Sequence, residues 1–211
     1  MTVALRCSGV RVRYGGVEVL HGVELVVPYG AMTALVGPNG AGKTTLLDWC
    51  AGATSTATAT DGKLEEGGTS AGGGLRFVPS GVNVFPHLTV RDNLRATGDP
   101  GRAFSMFPEL AALAEHDAAT LSGGERQLLA VAGALTGRWR VLLVDEPVQG
   151  LAPALADRVY RELAAVVAPD RAVLVADPVA ERALRVCDFV WRLERGQITF
   201  AGEPVESAAE S

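Results

Sequence analysis

The stretch GPNGAGKT at residues 37–44 lies between an apolar segment, AMTALVG, and a helix-forming segment, TTLLDWCAG. It satisfies the pattern G-x-x-x-x-G-K-[ST], and a preceding strand with a following helix is the context in which this pattern binds phosphate. The glycines let the backbone approach phosphate oxygens, whose charge is met by backbone N–H groups and the helix N-terminus. An ordinary glycine-rich turn is the alternative, but the pattern with both flanks is rare by chance. The stretch therefore predicts a nucleotide site.

Individual residues of this loop have separate predicted tasks. The compact ammonium group of Lys43 can reach between the β- and γ-phosphates better than a planar guanidinium group. The hydroxyl of Thr44 would be offered to Mg²⁺. The predicted nucleotide-binding residues are Gly37, Pro38, Asn39, Gly40, Ala41, Gly42, Lys43, Thr44 and Thr45.

Two adjacent carboxylates, Asp145 and Glu146, end the apolar stretch VLLVDEP, which is typical of a buried strand. Ligands of parallel sheets gather at the carboxyl ends of the strands, so this pair is expected near the phosphate loop. Asp145 would hold the magnesium shell, and Glu146 would orient or deprotonate the attacking water. A solvated loop start is the alternative, but the preceding phosphate loop favours the catalytic interpretation.

The stretch LSGGERQ, residues 121–127, predicts the start of an amphipathic helix, because Ser122 and Glu125 have the spacing of a capping box. Glycine in a helix costs about 1 kcal/mol relative to alanine, so the pair Gly123 and Gly124 needs a further reason. Exposed N–H groups at the positive end of the helix dipole would form a second anion site. A plain capped helix explains Ser122 and Glu125 but not the paired glycines.

Composition sets the class of protein. The 211 residues are 48% hydrophobic, which suffices for one domain with one core, and the formal charge of −5 disfavours general binding to nucleic acid. No apolar run reaches the roughly 18 residues of a membrane span and no signal-peptide core follows the N-terminus, so a cytoplasmic protein is expected. The scattered residues Cys7, Cys50 and Cys187 are predicted to be reduced and buried, and neither they nor the histidines indicate a metal site.

Alternating apolar strands and helices predict an α/β fold with a mostly parallel core sheet. Two Val-rich stretches near the N-terminus predict an antiparallel layer, and residues 53–74 predict a hairpin. The expected organisation is a single domain, 1–211, with its core at 1–92 and 121–202. The inserted helical subdomain is expected at about 93–120, together with the helix that begins in the stretch 121–127, and residues 203–211 are expected to form a tail.

The motifs GPNGAGKTT, LSGGERQ and LLVDEP, in this order, resemble the nucleotide-binding subunits of ATP-binding-cassette (ABC) transporters from about Val3 to Gly202. The resemblance implies a P-loop NTPase with a RecA-like core sheet, ATP and Mg²⁺ as cofactors, and ATP hydrolysis coupled to transport. It implies that Ser122, Gly123, Gly124 and Glu125 form the family signature, which closes over the γ-phosphate of ATP held by a second subunit.

The same resemblance places Tyr14 against the adenine base, with a half-buried strand aromatic as the alternative. The pieces VFPHLTVRDNL and GLAP are similar to the ATPases of branched-chain amino-acid importers, in which two different ATPase chains often pair. Implied partners are transmembrane permease subunits and a second ATPase subunit, on the inner face of the cell membrane, with no nucleic acid. The permease is expected near Ser80 to Asn93, where Phe85 offers an apolar contact; a loop packed on its own core is the alternative.

The chain departs from the family pattern at three positions. Ser80 replaces a Gln or Glu near the magnesium, Asp177 replaces a His or Gln that contacts the γ-phosphate, and Ala152 replaces an acidic residue. An ionised Asp177 would repel the phosphate unless it is protonated, turned away or bridged by water. We therefore expect ATP to bind well but to be hydrolysed slowly at this chain's own loop, which favours a heterodimer; a homodimer stays possible.

Two other classes share these motifs. A soluble ABC ATPase would use the same site, but the chain lacks the long heptad arms of repair proteins and its charge disfavours contact with DNA. A nucleotide-dependent binding module is favoured by Ser80 and Asp177. It is disfavoured by Glu146, because such a module needs no catalytic base.

Overall fold

The computed structural model describes residues 2–54, 57–66, 74–81 and 84–204. Nine strands and seven helices lie within these ranges, with a 3-10 helix at Ala118–Thr120. The strands are β1 (Val3–Tyr14), β2 (Val17–Pro28), β3 (Met32–Val36), β4 (Ala59–Glu66), β5 (Leu75–Val78), β6 (Val141–Asp145), β7 (Ala172–Asp177), β8 (Phe189–Glu194) and β9 (Gln197–Gly202). The helices are α1 (Lys43–Cys50), α2 (Val90–Thr97), α3 (Pro100–Met106), α4 (Pro108–Ala112), α5 (Gly123–Thr136), α6 (Pro153–Ala165) and α7 (Ala180–Leu184).

The core sheet has the strand order β5-β6-β7-β3-β8-β9 and is parallel except for the closing β8–β9 hairpin. Strands β3, β6 and β7 are buried along their whole length, as expected where helices or a second sheet cover both faces. Their register brings Val36 beside Asp177 and Asp145 beside Ala176. The phosphate loop and the carboxylates after β6 and β7 therefore share one edge of the sheet, and the predicted fold class is confirmed.

The antiparallel layer is a three-stranded sheet with the order β2-β1-β4. The predicted hairpin at residues 53–74 is wrong where the structure describes it, because β4 is one strand that pairs with β1; residues 67–73 lie outside the described part. Asp61 and Gly62, which signal a turn in the sequence, lie inside β4. A Cβ on Gly62 would lie 2.8 Å from Val10 Cα, beside a register shift in β1 between Ser8 and Arg11. The absence of a side chain at Gly62 thus lets β4 approach the bulge in β1 closely, and the glycine does not form a turn.

The inserted helical lobe contains α2, α3, α4 and the 3-10 helix. It begins at α2, where the N-cap Thr89 accepts a hydrogen bond from Asp92 N, slightly before the predicted boundary at Asn93. The lobe packs on α5 at a glycine: a Cβ on Gly133 would lie 2.2 Å from Thr97 Oγ1. The Thr97 side chain therefore lies directly against the backbone of α5, which brings α2 close to that helix.

Two hydrophobic clusters lie on opposite faces of the core sheet. The larger one joins the sheet to the helical lobe, α5 and α6, and the smaller one joins it to α1 and the antiparallel layer. Cys7 and Cys50 belong to the smaller cluster and, like Cys187, are free thiols. No helix in the described ranges has the length and apolar character needed to cross a membrane.

Candidate nucleotide site

The phosphate loop joins β3 to α1 and requires glycine for steric reasons. Gly37, Gly40 and Gly42 have positive φ angles of 154°, 79° and 105°. A Cβ on Gly37 would lie 2.0 Å from Leu193 O, and one on Gly42 would lie 2.8 Å from Leu20 Cδ2. Gly42 is also the N-cap of α1 and supplies no side-chain cap, so the first N–H groups of the helix face outward for a ligand.

Lys43, the first residue of α1, is buried beside the phosphate loop. Its ammonium group donates to Gly37 O at 2.7 Å and to Pro38 O at 3.0 Å. Burial lowers the pKa of Lys43, and the carboxylates of Asp145, Glu146 and Asp177 oppose that shift. A cation thus lies among three acidic groups at the loop, where a polyphosphate would meet a fixed positive charge.

Thr44 and Asp145 bring oxygen ligands together beside the loop. Thr44 Oγ1 donates to Asp145 Oδ2 at 2.7 Å. Burial raises the pKa of Asp145, against hydrogen bonds from Thr44 and Ser80 that lower it. Asp145 Oδ1 is buried and has no hydrogen-bond partner among the described residues. A buried carboxylate oxygen without a donor, next to two hydroxyls, is a donor set that fits Mg²⁺.

The described residues contain no group of three or more His, Cys, Asp or Glu side chains that could hold a metal ion alone. Magnesium at phosphate-transfer sites is held by one or two carboxylates together with the phosphates of the substrate. The single carboxylate of Asp145 with the hydroxyls of Thr44 and Ser80 matches that arrangement.

Glu146 directly follows β6 and has a left-handed backbone with a φ of 47°. Its N–H donates to Ala176 O at 2.9 Å, and its carbonyl accepts from Gln127 Nε2 at 3.2 Å and from Gln149 N at 3.2 Å. Non-glycine residues in this conformation persist where their surroundings hold them, and they cluster at functional sites. Burial, and secondarily the charge of Asp145, raise the pKa of Glu146, which strengthens it as a base.

The two unusual residues of the site are both engaged within the chain. The Ser80 hydroxyl forms a hydrogen bond with Asp145. Asp177 is buried, and its carboxylate accepts from the Tyr160 hydroxyl through Oδ2 and from Val179 N, at 2.7 Å, through Oδ1. Both oxygens of the Asp177 carboxylate are thus hydrogen-bonded within the chain; that the carboxylate is turned away from a bound phosphate stays a prediction.

Sequence reasoning missed two residues of this site, Tyr160 and Gln127. Tyr160 occupies an apolar position on the inward face of α6, so the pattern predicts packing and gives no sign of its hydroxyl partner. Gln127 is the last residue of the stretch LSGGERQ. It is buried in the structure, and a buried amide side chain needs a hydrogen-bond partner. Tyr14 is half-buried and packs against the smaller hydrophobic cluster, so both interpretations of its role stay open.

The signature stretch forms the predicted capping box. Ser122 Oγ accepts from Glu125 N at 3.2 Å, and Ser122 N donates to Glu125 Oε2 at 2.7 Å. The hydrogen bonds with Ser122 lower the pKa of Glu125, so the carboxylate stays ionised at the helix start.

The two glycines of the signature have different surroundings. A Cβ on Gly123 would contact nothing within 4 Å, whereas one on Gly124 would lie 2.5 Å from Gly150 O. Gly124 thus has a reason within this chain that the sequence did not indicate, and Gly123 leaves its face open. A cavity of about 180 Å³ adjoins them; it is lined by Gly81, Gly123, Gly124, Arg126, Gln127, Gln149 and Gly150.

Comparison with known proteins places these features in one family. Residues 20–149 match the ABC transporter family. The chain is 33% identical to the high-affinity branched-chain amino acid transport ATP-binding protein BraG of Pseudomonas aeruginosa, over 88% of this chain and 86% of that protein. It is 33% identical to the probable branched-chain amino acid transport ATP-binding protein LivF of Archaeoglobus fulgidus, over 94% and 91% of the two chains.

Relatives also include an exporter component. The Nod factor export ATP-binding protein I of Rhizobium leguminosarum is 31% identical, over 96% of this chain and 70% of that protein. In fold, a solved ATP-binding subunit of an ABC transporter aligns with a TM-score of 0.83 at 21% identity, over 98% and 92% of the two chains. The chain belongs to the ABC transporter family as an ATP-binding subunit, one of the ATPases that hydrolyse ATP to drive transport and that work as dimers with transmembrane permease components.

Proposed function

We propose that this chain binds Mg-ATP in its phosphate loop while the signature of a second ATPase chain closes over the γ-phosphate. The observation that carries the proposal is the meeting of Lys43, Thr44, Asp145 and Glu146 at one edge of the parallel sheet. Lys43 would contact the β- and γ-phosphates, and the bare N–H groups of the loop would bind their oxygens. Glu146 would orient or deprotonate the water that attacks the γ-phosphate.

Thr44, Asp145 and Ser80 would hold the magnesium ion. The unpartnered Asp145 Oδ1 supports this assignment, because a buried carboxylate oxygen is costly without a donor or a cation. The bound ion would neutralise charge on the phosphates. The Ser80 hydroxyl is directed at Asp145. Its side chain is too short to reach the attacking water as well, which a Gln or Glu side chain could reach.

We further propose that hydrolysis at this chain's own loop is slow. A side chain that donates a hydrogen bond to the γ-phosphate would stabilise the charge of the transition state, and the carboxylate of Asp177 has no proton to donate when ionised. Both its oxygens are engaged by Tyr160 and Val179. The γ-phosphate therefore lacks one electrostatic partner at this site.

Single-turnover cleavage of ATP in the assembled transporter complex tests this proposal. Asp177→His should speed cleavage about tenfold by supplying the missing donor. Glu146→Gln is the control that should keep ATP bound and slow cleavage about 100-fold. Equal rates for the wild-type and Asp177→His complexes would contradict the slow site, and full activity of Glu146→Gln would contradict the assigned base.

We propose that the transporter imports a small solute of the amino-acid class, on the strength of the BraG and LivF relatives. The same relatives support a position on the inner face of the cell membrane, through permease subunits. Phe85 and Leu88 are 52% and 38% exposed, and Asn93 Nδ2 holds their loop by donating to Phe85 O and Leu88 O. An exposed apolar contact on a braced loop suits a permease surface.

Replacing Phe85 with serine should release the chain from membranes that contain the permease, because about 1.5–3 kcal/mol of apolar burial would be lost. ATP binding by the purified variant should be unchanged. The measurement is the membrane-bound fraction after sedimentation, with Val17→Ser as the matched control, since Val17 is the first residue of β2 and is 66% exposed. Unchanged sedimentation of Phe85→Ser would contradict this docking surface.

A binding module that pairs on ATP without turnover is a second candidate. It is supported by the engagement of Ser80 and Asp177 within the chain. Glu146 opposes it, because a raised pKa and a held left-handed backbone are features that a module does not need. Detectable cleavage that Glu146→Gln abolishes would exclude the module.

A further inference from the structure

Asp177 lies where a negative charge should interfere with a polyphosphate. It ends β7 in register with Val36, the last residue of β3 before the phosphate loop. Its charge is close enough to raise the pKa of Lys43, Asp145 and Glu146. The chain thus places a third carboxylate around the one ammonium group that a nucleotide would use.

Tyr160 accounts for how this carboxylate is placed. Its side chain is 2% exposed on α6, and its hydroxyl donates to Asp177 Oδ2. Burial first, and then the charge of Asp177, raise the pKa of Tyr160 far above its ordinary value, so the group stays a phenol that donates. Val179 N donates to Oδ1 at 2.7 Å, and the carboxylate is therefore held by both oxygens.

The two donors lie on different elements and fix the carboxylate in one orientation. Tyr160 reaches it from α6, and Val179 N reaches it from the turn after β7. The charged groups nearby are Lys43 on α1, Asp145 and Glu146 after β6, and Arg182 on α7, whose charge acts on Tyr160. Both hydrogen bonds that the Asp177 carboxylate accepts within the described part of the chain come from neutral donors, and these two donors set its direction.

We infer that Tyr160 is a positioning residue for nucleotide binding: its hydroxyl holds the Asp177 carboxylate toward α6 and limits how closely the negative charge can approach bound phosphates. The inference rests on the proposed ATP site and extends it to a residue outside the family motifs. Removing the hydroxyl leaves Asp177 with one donor and free to turn toward the loop. The resulting loss of ATP affinity depends on the charge of Asp177.

A double-mutant cycle on the full-length chain, read by isothermal titration calorimetry with Mg-ATP, tests this charge dependence. Tyr160→Phe should weaken binding about tenfold. In an Asp177→Asn background the same change should alter Kd less than about twofold, because no charge remains to be released. An equal loss in both backgrounds, or none in the wild-type background, would overturn the inference.

Trp139→Phe is the matched control for a lost buried donor. Trp139 is 3% exposed and its Nε1 donates to a backbone carbonyl, Ala134 O, at 2.8 Å. Its replacement should lower Tm and leave the Kd for Mg-ATP unchanged. A loss of affinity in this control equal to that of Tyr160→Phe would show a general packing effect and overturn the inference.

A second pair of variants leaves Tyr160 intact in case Tyr160→Phe does not fold. Asp177→Glu lengthens the side chain and displaces the charge from its two donors, whereas Asp177→Gln has the same length without the charge. The Glu variant should bind Mg-ATP about tenfold more weakly than the Gln variant. Equal affinities would overturn the inference. Failure of the wild-type chain itself to bind Mg-ATP would instead refute the proposed function on which the inference rests.

Discussion

The phosphate loop and the signature stretch are built from different kinds of group within one chain. Beside the glycine backbone of the loop lie the buried charged side chains of Lys43 and Asp145, and the neighbouring carboxylates act on the Lys43 ammonium group. The signature presents backbone N–H groups at a capped helix start, where Ser122 and Gly123 are exposed. A site built on side chains is altered by single substitutions such as those at Ser80 and Asp177. The signature stretch depends chiefly on its capped helix start and on the close contact of Gly124 with Gly150.

This contrast is tested most strongly by disabling the signature stretch and the site at the phosphate loop in separate variants. Ser122→Arg places a bulky side chain at the helix start and should lower transport about 100-fold, because it removes the signature from the partner's ATP. Glu146→Gln should lower transport less, since it disables only the slow site on this chain. Transport in reconstituted vesicles gives the ranking. The reverse order would show that this chain's own site does most of the hydrolysis and would argue against the heterodimer.

The two signature glycines allow a sharper test with a matched control. Gly124→Ala would bring a Cβ to 2.5 Å from Gly150 O, so overpacking should cost about 1–3 kcal/mol. In a chain of this size each kcal/mol lowers Tm by about 2–4 °C. Gly123→Ala meets no atom within 4 Å and should leave Tm nearly unchanged. Equal Tm values for the two variants would contradict the contact that distinguishes them.

A smaller effect is expected in the pH dependence of ATP cleavage at the site that contains the phosphate loop. A general base must be ionised, and burial raises the pKa of Glu146, with Asp145 and Asp177 adding to the shift. Cleavage should therefore be lost, as pH falls, at a higher pH than an exposed glutamate would give. Asp177→Asn removes one of the raising charges and should move this acid limb to lower pH. Identical limbs in single-turnover profiles of both proteins would contradict the predicted coupling.

Local patterns predicted much of this molecule, because its elements are specified by adjacent residues. The phosphate loop, the capping box of Ser122 and the alternation of strands and helices are all short-range signals. The sequence indicated a local hairpin at residues 53–74, whereas β4 pairs with β1, and Gly62 lies against a bulge in β1 that is far away in sequence. Which way a side chain turns is likewise set by distant partners.

Asp177 and Gly124 illustrate the same limit at the site. The sequence identified Asp177 as an unusual charge but gave no sign of Tyr160, which is 17 residues away on another element. It also marked Gly124 as needing explanation and assigned that need to a neighbouring subunit. The contact with Gly150 arises only when α5 is packed against the loop after β6.

The contact between Gly124 and Gly150 also connects the signature stretch to the loop that follows β6. Gln127 Nε2 reinforces it by donating to the carbonyl of Glu146, so the start of α5 and the base of the chain's own site are joined at two points. A ligand that moved the start of α5 would therefore also move or strain the segment that carries Glu146. By thermodynamic reciprocity, a ligand bound at the signature of this chain and a nucleotide bound at its phosphate loop would each change the affinity for the other by the same factor.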